Sequence, residues 1–432
     1  MHNPNDRHDS APVNIPLTEW APGLTHFVGD ACATPPNGIG TGSPLCGDCS
    51  ARGPAKNWIR ADQISASRLT AGSQVNVDLR GVLPRDAQGR FLHVVGIRLV
   101  GTYRYVTAGS NASFTGYQQL AAWQNIVLED VSGWEYLSNV DARDLLDDRY
   151  LRTGVQSTFV DTVPATINAN VGAQNNDVDV SIYFPLTRPY AKGADAMDGS
   201  IPLALIQARG DAAFRFTAAG SPAGAPTGIT CGGFQGTTEV WLEVVALPTM
   251  VLAQPWQVRT YNDVNTQGNA QNCDRATDYL TVRPYPEDNG GQYCNDFGIA
   301  TFQAAGNTIA SGLTLAQQQE RTIMALSDDP RVTDSVPSIL SGGYSRFLFL
   351  VPPTRSRSAM VAGTISYQWT SRTRTSTRFL HRTVAGHIQA RLDAARAYGG
   401  GDVVGMGADG SIVAPHKEAT AVIAPAAMNG KK

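Results

Sequence analysis

The residue types best suited to hold a ligand are Cys46 and Cys49, two thiols separated by Gly47 and Asp48, with Cys32 and His26 upstream. A C-x2-C pair can clamp zinc through two thiolates, and Cys32 with His26 would complete a tetrahedron. The second pair at regular spacing that such sites usually carry is missing. Free thiols or a disulfide within the same segment account for these cysteines as well. The expectation is therefore no metal and no cofactor, with His26, Cys32, Cys46 and Cys49 as the candidate ligands should a metal bind. Cys231, Cys273 and Cys294 lie in turn-rich stretches, and nothing in the sequence decides whether any of them pair.

Acid–base and nucleophilic chemistry have less to work with. Asp147-Asp148 and Asp328-Asp329 are adjacent pairs at or near expected helix ends. Neighbours on a helix do not share a face, so both pairs read as solvated termini. No G-x-S-x-G elbow, P-loop or H-E-x-x-H pair occurs. The histidines, at positions 2, 8, 26, 93, 381, 387 and 416, are scattered. Paired glycosidase carboxylates are usually distant in sequence, and nothing marks them here. The chain is not expected to be an enzyme. Arg372, Arg374, Arg378, Arg382, Arg391 and Arg396 crowd one stretch, opposed only by Asp393. Such a patch could meet phosphates, but arginines also guard exposed strand edges, and the solvated edge is the favoured reading. Asn111-Ala112-Ser113 has the form of a glycosylation sequon and is read as coincidence.

The elements that position these residues follow from composition and pattern. The 432 residues carry 34 Lys+Arg against 37 Asp+Glu, a net charge of −3, which gives no whole-chain attraction for nucleic acid or acidic membranes. Charged residues make up 16%, against roughly 25% in an ordinary soluble protein, as expected where neighbouring subunits cover much of the surface. An apolar fraction of 42% argues against disorder. No run reaches the roughly 20 apolar residues that cross a bilayer. Met1–Ser10 lacks an apolar segment, so no secretory signal is expected and the protein should be made and assembled inside a cell. Six cysteines over this length do not make a disulfide scaffold.

Glycine (43) and proline (25) punctuate short alternating runs. Val75, Val77 and Leu79 share one face; so do Val95, Ile97, Leu99, Tyr103 and Tyr105; so do Val178, Val180, Ile182 and Phe184. Period-two alternation is the mark of strands that bury one side. Further runs are 201–207, 212–217, 239–247, 256–262, 278–283, 298–303, 344–351, 361–370 and 376–383. Helices are few. Asp141 can cap one that contains Leu145 and Leu146; Thr314 with Gln317 forms a capping box for a second; Val384 to Tyr398 is a third. The first two follow the same succession of strand, glycine, apolar residue and cap: Ile126–Asp130, Gly133, Leu137, Asp141, then Ile299–Gln303, Gly306, Ile309, Thr314. The separation is 173 positions for glycine and cap alike. A second pair sets Ile182–Leu186 and Ile201–Leu205 against Phe347–Pro352 and Thr364–Tyr367, at an offset near 165. The chain is thus expected to be all-β and to repeat one sandwich: a 1–64 arm, copies at 65–250 and 251–398, and a 399–432 tail.

Ile182-Tyr183-Phe184-Pro185-Leu186, a loop, then Ser200-Ile201-Pro202-Leu203-Ala204-Leu205-Ile206-Gln207 resembles the double jelly-roll major capsid proteins of tectiviruses, adenoviruses and large DNA viruses. Leu242–Leu247 is similar to the run that closes the first roll of that family, and Gly72–Leu79 with Phe91–Leu99 to its opening strands. The pattern departs after Gln207, where Ala208-Arg209-Gly210-Asp211 follows, and a virus of bacteria fits as well as any other. The resemblance implies two tandem eight-stranded jelly-roll sandwiches with a few short helices. It implies a structural shell protein that forms homotrimers, each imitating a hexagon in an icosahedral capsid. Its partners would be itself, neighbouring capsomers, penton and minor capsid proteins, and an internal lipid membrane where one exists, met by 1–20 or 372–396. Sequence-specific nucleic acid is not among them. The location implied is the virion, after assembly in the host cytoplasm. The competing readings are a carbohydrate-binding or carbohydrate-cleaving sandwich, for which Tyr103, Trp241 and Trp369 are better explained by core packing, and a minor capsid or spike protein.

Overall fold

The computed structural model describes residues 56–108, 113–114, 119–153, 167–168, 172–187, 197, 199–220, 228–253, 255–263, 271–273, 276–283, 298–304, 307–314, 317, 348–351, 365–370, 377–384, 389–399, 403–406 and 412–413. Strands dominate them. Leaving aside two-residue strands, the first eight of these are β1 (Lys56–Ser65), β2 (Gln74–Asn76), β3 (Phe91–Ala108), β4 (Trp123–Glu129), β5 (Glu135–Val140), β6 (Ala173–Pro185), β7 (Phe214–Ala218) and β8 (Ile229–Leu247). They pair in the order β1-β8-β3-β6 in one sheet and β5-β4-β7-β2 in the other, every neighbour antiparallel.

The alternation read from sequence is what closes the core between these sheets. Ile97, Leu99, Val180, Ile182 and Val240 from one side meet Val75, Ile126, Leu128, Phe214 and Phe216 from the other in a single buried cluster. Tyr103 and Tyr105 are fully buried, and each hydroxyl donates to a backbone carbonyl, of Ala219 and Gln119 respectively. That bond is what lets a phenol sit in a core. Val95 is the exception to the face read from sequence. The pairing of β3 with β8 slips between Glu243 and Val244, leaving Val95 without a register partner on β8.

A short strand, β9 (Met250–Leu252), leads into β10 (Trp256–Asp263), β11 (Gln271–Cys273), β12 (Ala276–Arg283), β13 (Gly298–Ala304), β14 (Asn307–Thr314), β15 (Leu348–Val351), β16 (Ile365–Thr370) and β17 (Thr377–Val384). These pair as β10-β17-β12-β15 and as β11-β16-β13-β14, again all antiparallel. In both groups of eight, the first strand pairs the eighth, the eighth the third and the third the sixth. The second pairs the seventh, the seventh the fourth and the fourth the fifth. That is one topology used twice. The two are joined edge to edge: β10 runs parallel to β5, with Val258 opposite Leu137 and Arg259 opposite Ser138, so eight strands from both groups form one continuous sheet.

The helix caps repeat as well. Helix α1 (Ala142–Thr153) opens with a reciprocal box in which Asp144 N–H donates to Asp141 Oδ1 and Asp141 N–H donates to Asp144 Oδ2. After β14, Thr314 N–H donates to Gln317 Oε1 and Gln317 N–H to Thr314 Oγ1. The rest of the second helix lies outside the described residues.

Several expectations need correction. Lys56–Ile64, placed in the arm, belongs to the first strand of the first sandwich, Lys56–Ser65. Only Ile201–Pro202 of the run at 201–207 is extended; Leu203–Arg209 is a helix, α2, with Leu203, Leu205 and Ile206 buried and Gly210 (φ 83°) ending it. An unbroken apolar run fits either a buried strand or a buried helix. Ile365–Thr370 therefore corresponds to Phe214–Ala218, each the seventh strand of its sandwich, and not to Ile201–Leu205. The third helix, α3, runs only Gln389–Gly399, because Val384 still belongs to β17. Beyond it the chain is more than a tail. Strand β18 (Val403–Met406) pairs in parallel with β9, and β19 (Ile412–Val413) pairs with β18.

Candidate functional site

Where the two sandwiches meet, the chain buries charge. Two arginines expected on a solvated edge are instead the centre of this seam. Arg382, on β17, is 2% exposed and lies between Asp148 of α1 (3.4 Å) and Asp278 of β12 (3.3 Å). Its guanidinium stacks 3.7 Å from the ring of Trp256, the first residue of β10. The Tyr279 hydroxyl donates to the same Asp148 carboxylate. From the first sandwich, Trp134 Nε1–H donates to the Trp256 carbonyl at 3.1 Å. Gly199 (φ 82°) makes room for the Trp256 indole, since a Cβ there would stand 1.8 Å from Trp256 Nε1.

Arg391, on α3, is completely buried. Its Nε donates to Asp130 Oδ2 at 2.9 Å and Nη1 to the Ala253 carbonyl at 3.0 Å. Asp130 follows β4 directly and also accepts from the Tyr136 hydroxyl (2.7 Å), the Ser132 N–H (2.9 Å) and the Ser132 hydroxyl. Burial and the adjacent carboxylate hold the Tyr136 phenol well above its ordinary value. Around this pair, Phe91, Leu205, Met250, Leu252 and Ala395 make a second small apolar cluster. The chain thus leaves the second sandwich at β17 and returns through α3 to the first.

His93 completes the seam. It is fully buried on β3, opposite Pro202 and Val245. The Val251 N–H of β9 donates to His93 Nε2 at 2.9 Å, so Nε2 must be the acceptor; Nδ1 carries the proton and donates to the Phe91 carbonyl at 3.2 Å. Burial pulls the imidazole down to about 4.

Buried ion pairs recover their desolvation cost only where geometry and further hydrogen bonds are good, and their best-attested use is to fix one arrangement among several. Arg391, with bonds of 2.9 and 3.0 Å, comes nearer to that condition than Arg382, whose contacts are 3.3 and 3.4 Å; each keeps one buried nitrogen with no hydrogen-bond partner among the described residues. The arrangement can hold two modules at a fixed angle, and among the described residues no three His, Cys, Asp or Glu side chains converge on a metal position.

The other candidates fall as follows. His26, Cys32, Cys46 and Cys49 lie outside the described residues, as do Asn111, Asp328-Asp329, Cys294, Arg372 and Arg374. Asp147 and Asp148 are buried within α1, where solvated termini were expected. Cys231 is a half-buried free thiol, pushed up to about 11 chiefly by burial. Of the three arginines of this stretch whose side chains are described, Arg396 is the solvated charge that was expected, 3.7 Å from Asp393. Tyr103 is core as expected, but Trp241 is only half-buried and donates from Nε1 to Glu239 at 2.9 Å. Sequence reading gave Asp130 and His93 no role and took Asp148 for a solvated helix end. Only Asp130 left a signal, in the Asp-x-Ser-Gly turn that follows its strand.

Two eight-stranded sandwiches with one shared strand order make this chain a double jelly roll. No protein-family model matches its sequence, and no curated protein matches it. Among solved structures it is similar to the major capsid protein of STIV, with TM-score 0.46, 10% identity, and 77% of this chain and 97% of that chain covered. It is similar too to the major capsid protein P2 of bacteriophage PM2, with TM-score 0.40, 11% identity, and coverage of 77% and 99%. A chain of the Sputnik virophage gives 0.39, 11%, 76% and 85%.

Proposed function

We propose that this protein is the structural major capsid protein of an icosahedral virus, one of bacteria, and has no enzymatic role. The observation that carries the reading is the repetition of one strand order in two sandwiches joined by a continuous sheet. A chain with two like modules held rigidly side by side can close three-fold and present six like modules around one axis. Six-fold outlines tile a shell, and three copies are cheaper to specify than six. The low charged fraction, 16%, suits a subunit whose flanks meet neighbours.

On this reading the first module spans 56–253 and the second 255–384, with 389–413 returning to fasten them. The segments before 56 and after 413 are arms that reach adjacent capsomers, pentons and minor capsid proteins. Assembly takes place in the host cytoplasm and the mature location is the virion. Should the virion enclose a membrane, residues 1–20 are the contact, because Arg382 and Arg391 of the 372–396 stretch are committed to the seam.

Light scattering on the purified full chain, followed by negative-stain microscopy, tests this. The expected result is a mass three times that of one chain and particles with a hexagonal outline. A monomer that binds a glycan array would overturn it in favour of a carbohydrate-binding sandwich.

A further inference from the structure

We propose that His93 is an acid-released latch between the first sandwich and the linker strand β9, so that acidification loosens the seam while both cores remain folded. The geometry makes the latch one-sided. Val251 N–H can only donate, and Phe91 C=O can only accept, so the ring fits as one neutral tautomer. A proton on Nε2 would set two donors face to face inside a site with no solvent. The bond from Val251 would break, and the ring would seek water.

The surroundings offer the imidazolium no opposite charge, only backbone groups that offset part of its burial. Pro202 and Val245 are its register partners, and Met250, Val251 and Leu252 are the residues that β9 presents. Besides burial, the groups that act on its protonation are the backbones of Phe91, Val245 and Val251; no charged side chain among the described residues does. The ionic pair of Asp130 with Arg391 reaches this linker at Ala253, two residues beyond Val251.

What the latch holds is worth releasing. Strand β9 pairs with β18, and Met250 and Leu252 pack with Leu205 and Ala395 of α2 and α3. Freeing β9 therefore unseats the returning C-terminal segment as a unit. The sign follows from the depressed value in the closed state: the latch is at full strength above about 6.5 and weakens as pH falls toward about 4.

Hydrogen exchange of the full-length protein, corrected for the intrinsic effect of pH, reads this directly. In peptides covering 248–253 and 389–406, opening should rise about tenfold per pH unit below 6.5, while peptides from β3 and β4 stay protected. In His93→Gln, whose amide oxygen can accept from Val251 without titrating, the same peptides should show no such rise. A rise of equal size in His93→Gln, or none in the wild type, overturns the proposal. Should His93→Gln fail to fold, exchange of the His93 ring C–H in the wild type decides: a midpoint near 4 supports the latch, and one between 6 and 7 overturns it. Neither readout depends on assembly, so the latch and the capsid reading stand or fall separately.

Discussion

The reciprocal cap that follows the fifth strand occurs at the same place in both sandwiches, yet its two versions live in different surroundings. In the first, the cap residues Asp141 and Asp144 are charged and buried, Arg143 pairs with Asp141 at 2.8 Å, and Asp148 further along receives Arg382 from the second sandwich. In the second, Thr314 and Gln317 form the same reciprocal box from neutral side chains in solvent. The strands differ too: the third strand has 18 residues in the first sandwich and 8 in the second. Topology is thus held while length and polarity drift. The first copy had to become a receptor for its twin; the second had no further copy to receive.

The largest expected effect comes from breaking the receptor. Arg382→Ala should cost about 3–5 kcal/mol, because it strands Asp148 and Asp278 in the interior, whereas Arg382→Met combined with Asp148→Asn and Asp278→Asn should recover much of that loss. Urea unfolding followed by tryptophan fluorescence measures both, and an equal cost for the single and the triple variant would show that no buried pair is formed. Gly199→Ala comes next. It adds left-handed strain to an overpacked contact with Trp256, together about 2–4 kcal/mol, and should shift the Trp256 emission as the indole is displaced. A variant with unchanged emission and stability would mean that the indole does not sit against residue 199. Smallest is the contrast between the caps. Thr314→Ala should cost about 0.5–1 kcal/mol and Asp141→Ala about 2, since only the latter also weakens a buried arginine. Equal losses would remove the distinction between the two caps.

Much of the sandwich could be read in advance. Alternation placed Ile97, Leu99, Ile182 and Phe184 on the inner face, because a strand's two sides are set by nearest neighbours. The 173-residue repeat marked the hairpins and caps for the same reason: a turn and its cap are local. The seam left almost no trace. Asp148 and Arg382 lie 234 residues apart and Asp130 and Arg391 lie 261 apart, so nothing in their own neighbourhoods distinguishes them from surface charges. Arginine in particular misleads, being common both at open edges and in buried pairs. The helix at Leu203–Arg209 was missed because it begins inside the unbroken apolar run Ile201–Ile206, although Pro202 just before it and Gly210 just after it were punctuation of the helical kind.

The parallel contact between β5 and β10 has a mechanical consequence. Modules strung on a flexible tether can pivot, and a push on one is absorbed by slack before the other feels it. Here the backbone lattice runs unbroken from one barrel wall into the next, so a load applied to either half is carried as shear across peptide hydrogen bonds. The molecule should bend as a single stiff plate, and its first yielding point under tension should be the two-rung splice at Leu137–Val258 and Ser138–Arg259, not the linker that spans it.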